Sequence, residues 1–376
     1  MNNTFKHFLG RNLHNSKGWE TKRKIVVIES DDWGTIRMPS LNVYEKLLKR
    51  KINVDSDEFT KYDSLASEDD LEMLFEVLYK HKDRHNNPAV VTANTIVANP
   101  DFKKIEDSNF KDYFYEPFTE TLKKYSNHSS SFKLWKQGIS NQIFYPQLHG
   151  REHLNVSLWF KHLKNNEKTI KEAFELEMFG LPSKFNVDTG RSYMAAFDYD
   201  TLDNLDFIKK SITDAQKIFN DTFGYKSKSF IAPNYIWSDL IEEFLLEVGI
   251  KYIQSSRYQL LPKFNKLKGN QNLKHYLGET NKNSQIYLVR NCIFEPSLVT
   301  SVNPVENTLK QIKTSFFWNK PAIISSHRLN YIGFLDENNR NKNLQYLDTL
   351  LSKIINKWPD VEFLTSNELG EIIELG

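Results

Sequence analysis

The sequence predicts an α/β chain whose mainly parallel strands curl into a barrel-like closure. Short apolar runs alternate with helix-period segments along the whole length. The first run, Lys24-Ile25-Val26-Val27-Ile28-Glu29-Ser30-Asp31-Asp32-Trp33-Gly34, is continuously apolar before it turns polar, as in a strand covered on both faces. Titratable residues then fall at the carboxyl ends of several runs, where parallel α/β folds carry their chemistry.

After that strand, the pattern predicts helices over residues 41–51 and 69–80, the second from Leu71, Leu74, Phe75 and Leu78 at helical spacing. A second strand covers 89–94. Residues 99–140 carry irregularly spaced aromatics, which predicts an insertion forming substrate-side loops. A third strand, 142–148, runs into His149-Gly150-Arg151-Glu152-His153. Helices over 167–178 and 202–219 flank a Gly/Pro-bearing stretch containing Asp188, Gly190, Arg191 and Tyr193. Further strands are predicted at 229–235 with its exit, 250–254, 285–290, 322–325 and 361–364, with helices over 238–248 and 342–357. No repeat or linker divides the chain, so the expected organisation is an N-terminal extension (1–23) and a single domain (24–376) with an insertion near 99–140.

The charge balance, 50 Lys and Arg against 48 Asp and Glu among 376 residues, argues against nucleic acid as a partner. A hydrophobic fraction of 39% is enough for a substantial core. The single cysteine, Cys292, excludes a disulfide framework and a Cys-rich zinc cluster. No segment has the ~20 apolar residues of a membrane helix, and residues 1–24 lack the apolar run of a signal peptide. The expectation is a cytoplasmic chain with no membrane insertion, and the oligomeric state stays open.

His149 and His153 stand four apart, a spacing that puts both imidazoles on one face if a helix begins there and suits one divalent metal ion. Asp31 or Asp32 is a candidate third ligand. His327 follows the apolar run Pro321 to Ser326, so a third strand exit also carries a titratable group. Together these residues point to a metal-assisted hydrolase. Trp33, Trp237 and Tyr331 neighbour the motif residues and are candidates for a sugar-stacking wall. Arg290 and Glu295 follow another strand, where a surface ion pair is the simpler expectation.

An apolar strand ending in Asp-Asp, a later His-x-x-x-His, Pro233-Asn234-Tyr235 after a further strand, and a late strand ending in Ser326-His327 resemble, in order, the motifs of the NodB-type polysaccharide deacetylases. The resemblance spans about residues 24–370. It implies a distorted (β/α) barrel with loop insertions that removes acetyl groups from an N- or O-acetylated sugar or polysaccharide, with one divalent metal, zinc or else cobalt, manganese or nickel. It further implies Asp31 as general base, Asp32, His149 and His153 as metal ligands, His327 as general acid, and the Tyr235 backbone amide as an oxyanion donor. Three features depart from the family pattern. Ile231 stands where an arginine usually orients the base, leaving Arg191, Arg290 and Arg151 as candidates to replace it, with Arg191 and Arg290 also candidate substrate contacts. Glu29-Ser30 stands where the family has Thr-Phe, and no residue matches the acidic partner of the late histidine. The alternatives are an inactive glycan-binding protein of the same fold and an amidase on a non-sugar substrate.

Overall fold

The computed structural model describes residue 10 and residues 12–185 and 191–376. Asp188, Gly190 and most of the first eleven residues lie outside the described residues.

A single nine-stranded sheet carries the fold. Its strands are β1 (Lys24–Trp33), β2 (Val91–Ile96), β3 (Phe144–Gly150), β4 (Ser229–Ile231), β5 (Tyr252–Ser255), β6 (Ile286–Val289), β7 (Cys292–Ile293), β8 (Ala322–His327) and β9 (Val361–Phe363). They pair in the order β6-β5-β4-β3-β2-β1-β8-β7, with β9 added beside the start of β1. Every pairing in the sheet is parallel, so all strand exits share one rim and the predicted distorted (β/α) barrel is found. The two edge strands, β6 and β7, are consecutive in sequence. Arg290 and Asn291 carry the chain across the seam between them. There Arg290 N donates to Ser255 O on one edge, and Asn291 N to Ile323 O on the other.

Side chains alternate across a strand with a period of two, and β1 shows the consequence. Ile25 and Val27 pack with Tyr252, Leu288 and Ile323 from other strands, and with Leu369 and Ile373 of the C-terminal helix (Ser366–Glu374). These residues form the barrel interior. Val26 and Ile28 join the outer core beneath the surrounding helices. The same alternation places Glu29 and Asp31 above Val27 on the inner face. Burial of apolar residues on both faces explains why β1 reads as an unbroken hydrophobic run.

The helical stripes behave as their spacing predicts. Leu71, Leu74, Phe75 and Leu78 are buried on the helix Glu68–Lys80, and Leu344, Leu347, Leu350, Leu351 and Ile354 on Glu337–Lys357. Several bounds shift by a few residues. The helix predicted over 202–219 runs Leu205–Phe223, where Gly224, in the left-handed region at φ 80°, ends it. Residues 99–140 form short helices, including Phe102–Asp107 and Ser131–Ser140, and a two-stranded ladder between 98–100 and 115–117. Several of their aromatics are core: Phe118 packs against Phe132, Trp135 and Phe223, whereas Phe114 is exposed. No helix among the described residues is long and apolar enough to cross a membrane.

Candidate active site

The end of β1 does not continue as a regular strand. Its register with β2 slips between Ser30 and Trp33, and Asp32 adopts φ 74°. This left-handed conformation costs of order 1 kcal/mol or more for a residue with a Cβ, and Asp tolerates it better than most. Gly34 follows at φ 84°, where a Cβ would collide with Ile96 O. On a regular strand adjacent carboxylates face opposite ways, as expected from sequence. The bulge turns Asp32 so that both Asp31 and Asp32 line one cleft of about 300 Å³.

Asp32, His149 and His153 each bring a ligand atom to within 4.8 Å of the other two, all buried. Asp32 Oδ1 lies 3.4 Å from His149 Nε2 and 3.2 Å from His153 Nε2. The pair does not sit on a helix as the spacing suggested. His149 belongs to β3, His153 to the loop after it, and the next helix begins only at Val156. Convergence comes instead from the loop backbone, where Val97 N donates to Gly150 O and Ala98 N to Arg151 O.

The hydrogen bonding of this trio is incomplete in an informative way. His149 Nδ1 faces Ile231 O at 2.9 Å, and since a carbonyl only accepts, Nδ1 carries the proton and Nε2 is left with its lone pair. That lone pair points toward Asp32 Oδ1, and both atoms are buried without a hydrogen-bond partner. Two facing acceptors in a buried site are unfavourable unless a cation lies between them. Burial pushes His153 down to about 4 despite the nearby Asp32, so it is neutral near pH 7, the form that binds metal. Burial favours protonating Asp32, yet Arg37 and the histidines hold it well below the usual carboxylate range. Arg37 donates to Asp32 Oδ2 at 3.0 Å and so orients the carboxylate from behind. Two imidazoles and a carboxylate with a fixed tautomer and a supporting arginine fit a divalent ion of the zinc type.

The other half of the cleft is fully paired. Arg290 grips Asp31 with two parallel bonds, Nη2 to Oδ1 at 2.6 Å and Nη1 to Oδ2 at 2.7 Å, and Asn94 donates to Oδ1 at 2.7 Å. Burial works to raise this carboxyl, and Arg290 more than offsets it, so Asp31 stays ionised. Arg290 is thus the arginine that Ile231 does not supply. It reaches Asp31 because the barrel seam aims it across the interior.

His327 pairs in register with Asp31 across β8 and β1, and its Nε2 lies 3.7 Å from Asp31 Oδ2. On its far side Nδ1 meets Glu295 Oε1 at 2.6 Å, and Asn330 holds the other Glu295 oxygen at 2.7 Å. Burial depresses His327, but Glu295 outweighs it and lifts the imidazole to about 9. Glu295 is therefore the acidic partner that no motif identified, and it forms no surface pair with Arg290. Phe59 completes this wall, edge-on to His327 with centroids 5.2 Å apart and beneath the Arg37 guanidinium at 4.8 Å.

Several sequence expectations are corrected. Trp33 is core, 1% exposed and packed edge-on against Trp135 and Phe144. Trp237 is fully buried, its indole N–H bonded to Glu242 at 2.9 Å, and Tyr331 bonds Ser326 from within the core. None of these three forms a sugar-stacking wall, because each ring packs into the core. Arg191 pairs with Asp198 and Asp200 of its own loop, whose Ser192 and Met194 line the cleft. Arg151 is committed to Glu152 and Asp214. Arg290 orients Asp31, and the expectation of a direct substrate contact is replaced by that role. Tyr235 lines the cleft, but its amide donates to Ala232 O at 2.9 Å, inside a turn where Asn234 and Tyr235 are both left-handed, so the expected oxyanion donor is engaged. Its hydroxyl instead accepts from Arg290 at 2.9 Å. The cleft takes none of its lining from residues 99–140. Asp57 and Phe59, and Gly180 to Pro182, occupy the place expected for those loops.

The profile of glycosyl hydrolase family 57 matches residues 42–292. The chain belongs to glycosyl hydrolase family 57. As a family 57 member it is a carbohydrate-active enzyme built on a (β/α) barrel. No curated protein sequence matches it. Among solved structures it is similar to one assigned as a polysaccharide deacetylase from Mycobacterium smegmatis, at 8% identity and a TM-score of 0.44, covering 96% of this chain and 93% of that one. It is also similar to 4-alpha-glucanotransferase from Thermococcus litoralis, at 12% identity and a TM-score of 0.45, covering 92% of this chain and 40% of that one. A GH57-type branching enzyme from Pyrococcus horikoshii aligns at 12% identity with a TM-score of 0.39, covering 93% of the family 57 chain and 70% of the other.

Proposed function

We propose that this family 57 chain is a metal-dependent hydrolase that removes acetyl groups from an N- or O-acetylated sugar or polysaccharide. The observation that carries the proposal is the buried trio of Asp32, His149 and His153, with two acceptors facing each other, beside an arginine-held Asp31 and a Glu295-held His327 in one cleft. Asp32, His149 and His153 would hold a divalent ion, zinc or else cobalt, manganese or nickel, which when bound polarises the acyl carbonyl and acidifies water.

The remaining work falls to the chain's own residues. Asp31, ionised and held at both oxygens, accepts the proton of the attacking water. His327 is an imidazolium at neutral pH and lies on the same cleft, so it gives its proton to the departing sugar nitrogen or oxygen. The products are acetate and the freed amine or alcohol, and the proton taken by Asp31 restores His327. With Arg290 in place, the motive for an inactive binding protein, a missing arginine, is removed. Family membership favours a sugar over the non-sugar amidase.

The family profile also supports a second reading, cleavage of a glycosidic bond. That reaction requires two carboxyl groups, one protonated at working pH. Asp31 and Asp32 are both held below the usual range by arginines, and Asp57 caps a short helix through Phe59 N. Glu295 lies behind His327. The cleft therefore suits acyl hydrolysis better. Incubating the metal-loaded enzyme with acetylated and with unsubstituted oligosaccharides separates the two readings. Acetate release supports deacetylation, whereas new reducing ends without acetate would overturn it.

A further inference from the structure

Glu29 is wholly buried two residues before Asp31 on the inner face of β1, and the chemistry above does not use it. An acidic side chain inside an apolar strand costs several kcal/mol unless it is paired. Its Oε2 accepts from Arg290 Nε at 2.6 Å, and its Oε1 from the Ser366 hydroxyl at 2.7 Å. Ser366 is itself held by its amide, which donates to Thr92 Oγ1 at 3.0 Å. Arg290 thus uses three N–H directions at once: Nε faces Glu29 while Nη1 and Nη2 face Asp31. A guanidinium is planar and rigid, so fixing Nε fixes the plane in which the fork meets Asp31. Arg290 needs this anchor because it lies at the seam of the barrel, in the two-residue link between β6 and β7.

We propose that Glu29 is a positioning residue: through Arg290 it holds the Asp31 carboxylate in the orientation required for general-base work, with the first turn of the C-terminal helix as its support. The departures at Ile231 and Glu29 from the deacetylase pattern then explain each other. An arginine that arrives from the seam needs a carboxylate beneath it, and Glu29 provides one. The part assigned to Asp31 rests on the functional reading above.

The test is a crystal structure of Glu29→Gln together with a double-mutant cycle against Arg290→Lys. A glutamine has no charge to hold Arg290 Nε: with its carbonyl on Nε the bond is weaker and its amide donates to Ser366 Oγ, whose hydroxyl turns to Thr92 Oγ1, and with its amide on Nε two donors face each other. The expected structure has at least one arm of the Arg290–Asp31 fork opened beyond about 3.5 Å. In acetate release, Glu29→Gln is expected to lower kcat by about tenfold to a hundredfold with KM and bound metal unchanged. The double variant is expected to be no slower than Arg290→Lys alone. An unaltered fork, or kinetic losses that multiply, would overturn the proposal. Should Glu29→Gln fail to fold, Ser366→Ala leaves the charges intact and is expected to lower kcat about threefold at constant KM, and an unchanged kcat would count against the idea. If the wild type releases no acetate from any acetylated sugar, the functional reading falls, and the fork geometry still decides whether Glu29 positions Asp31.

Discussion

The two halves of the cleft are built on opposite electrostatic plans. Around Asp31 both carboxylate oxygens have donors, with Arg290 and Asn94 closing on it, while His327 is matched by Glu295. Around Asp32, a carboxylate oxygen and an imidazole nitrogen face each other, both buried and neither with a hydrogen-bond partner in the protein. Asp31 and Asp32 are both buried on the same rim, so burial alone does not separate them. A group that acts through its own protons is held by permanent partners, whereas one that acts by ligation must keep its lone pairs open.

The contrast is broken most directly by His149→Ala. Bound metal, measured by elemental analysis, should disappear, and acetate release should fall on the order of a thousandfold or more. Retention of both metal and activity would refute the ligand assignment. Asp31→Asn should lower kcat by about a hundredfold to ten-thousandfold while metal content stays at the wild-type level, because this half does not ligate.

Glu295→Gln probes the charge on His327. With the imidazole raised to about 9, activity should fall on the alkaline side as His327 loses its proton, and the substitution should move that limb toward 6.5. The raised value corresponds to up to about 3 kcal/mol of stability, supplied first by Glu295 and then by Asp31 and Asp32. Because the folded-state value is raised, that contribution is complete below about 6.5 and is lost as pH rises through about 9, a trend that Glu295→Gln should reduce in denaturant titrations at several pH values. The smallest effect is expected from Trp237→Phe, which should leave KM for a sugar within about twofold and cost about 1–2 kcal/mol of stability, as for a core residue that loses a buried hydrogen bond. A tenfold rise in KM would restore Trp237 as a substrate contact.

Which residues were legible in the sequence follows from how local their signals are. Asp31, Asp32, His149, His153 and His327 could be found because each stands at or a few residues beyond the end of an apolar run, and parallel strands bring such ends to one rim. Glu295 stood only three residues beyond Cys292 and was visible, but its partner was not, since Glu295 and His327 meet across a strand pairing. Phe59 and Arg37 lie in the β1–β2 connection, where no periodicity marks a residue as facing the cleft. Glu29 had a signal that could have been followed: a charge in the middle of a strand buried on both faces must have a buried partner.

By itself, the sequence determined the α/β class, the strand exits and the set of titratable residues, because β-branched runs and helical stripes are local patterns set by chain stereochemistry and by burial. The tertiary structure alone decided which arginine holds Asp31. The tryptophans illustrate the same limit, since sequence proximity to a motif says nothing about which side of a strand a ring occupies. Arg290 follows β6 in the chain, far from β1, and faces Asp31 only because the curled sheet brings its two edges together at the seam. The bulge at Asp32 was likewise beyond the sequence, being a register slip between β1 and β2. It is what turns two adjacent acids into a base and a ligand facing one cleft.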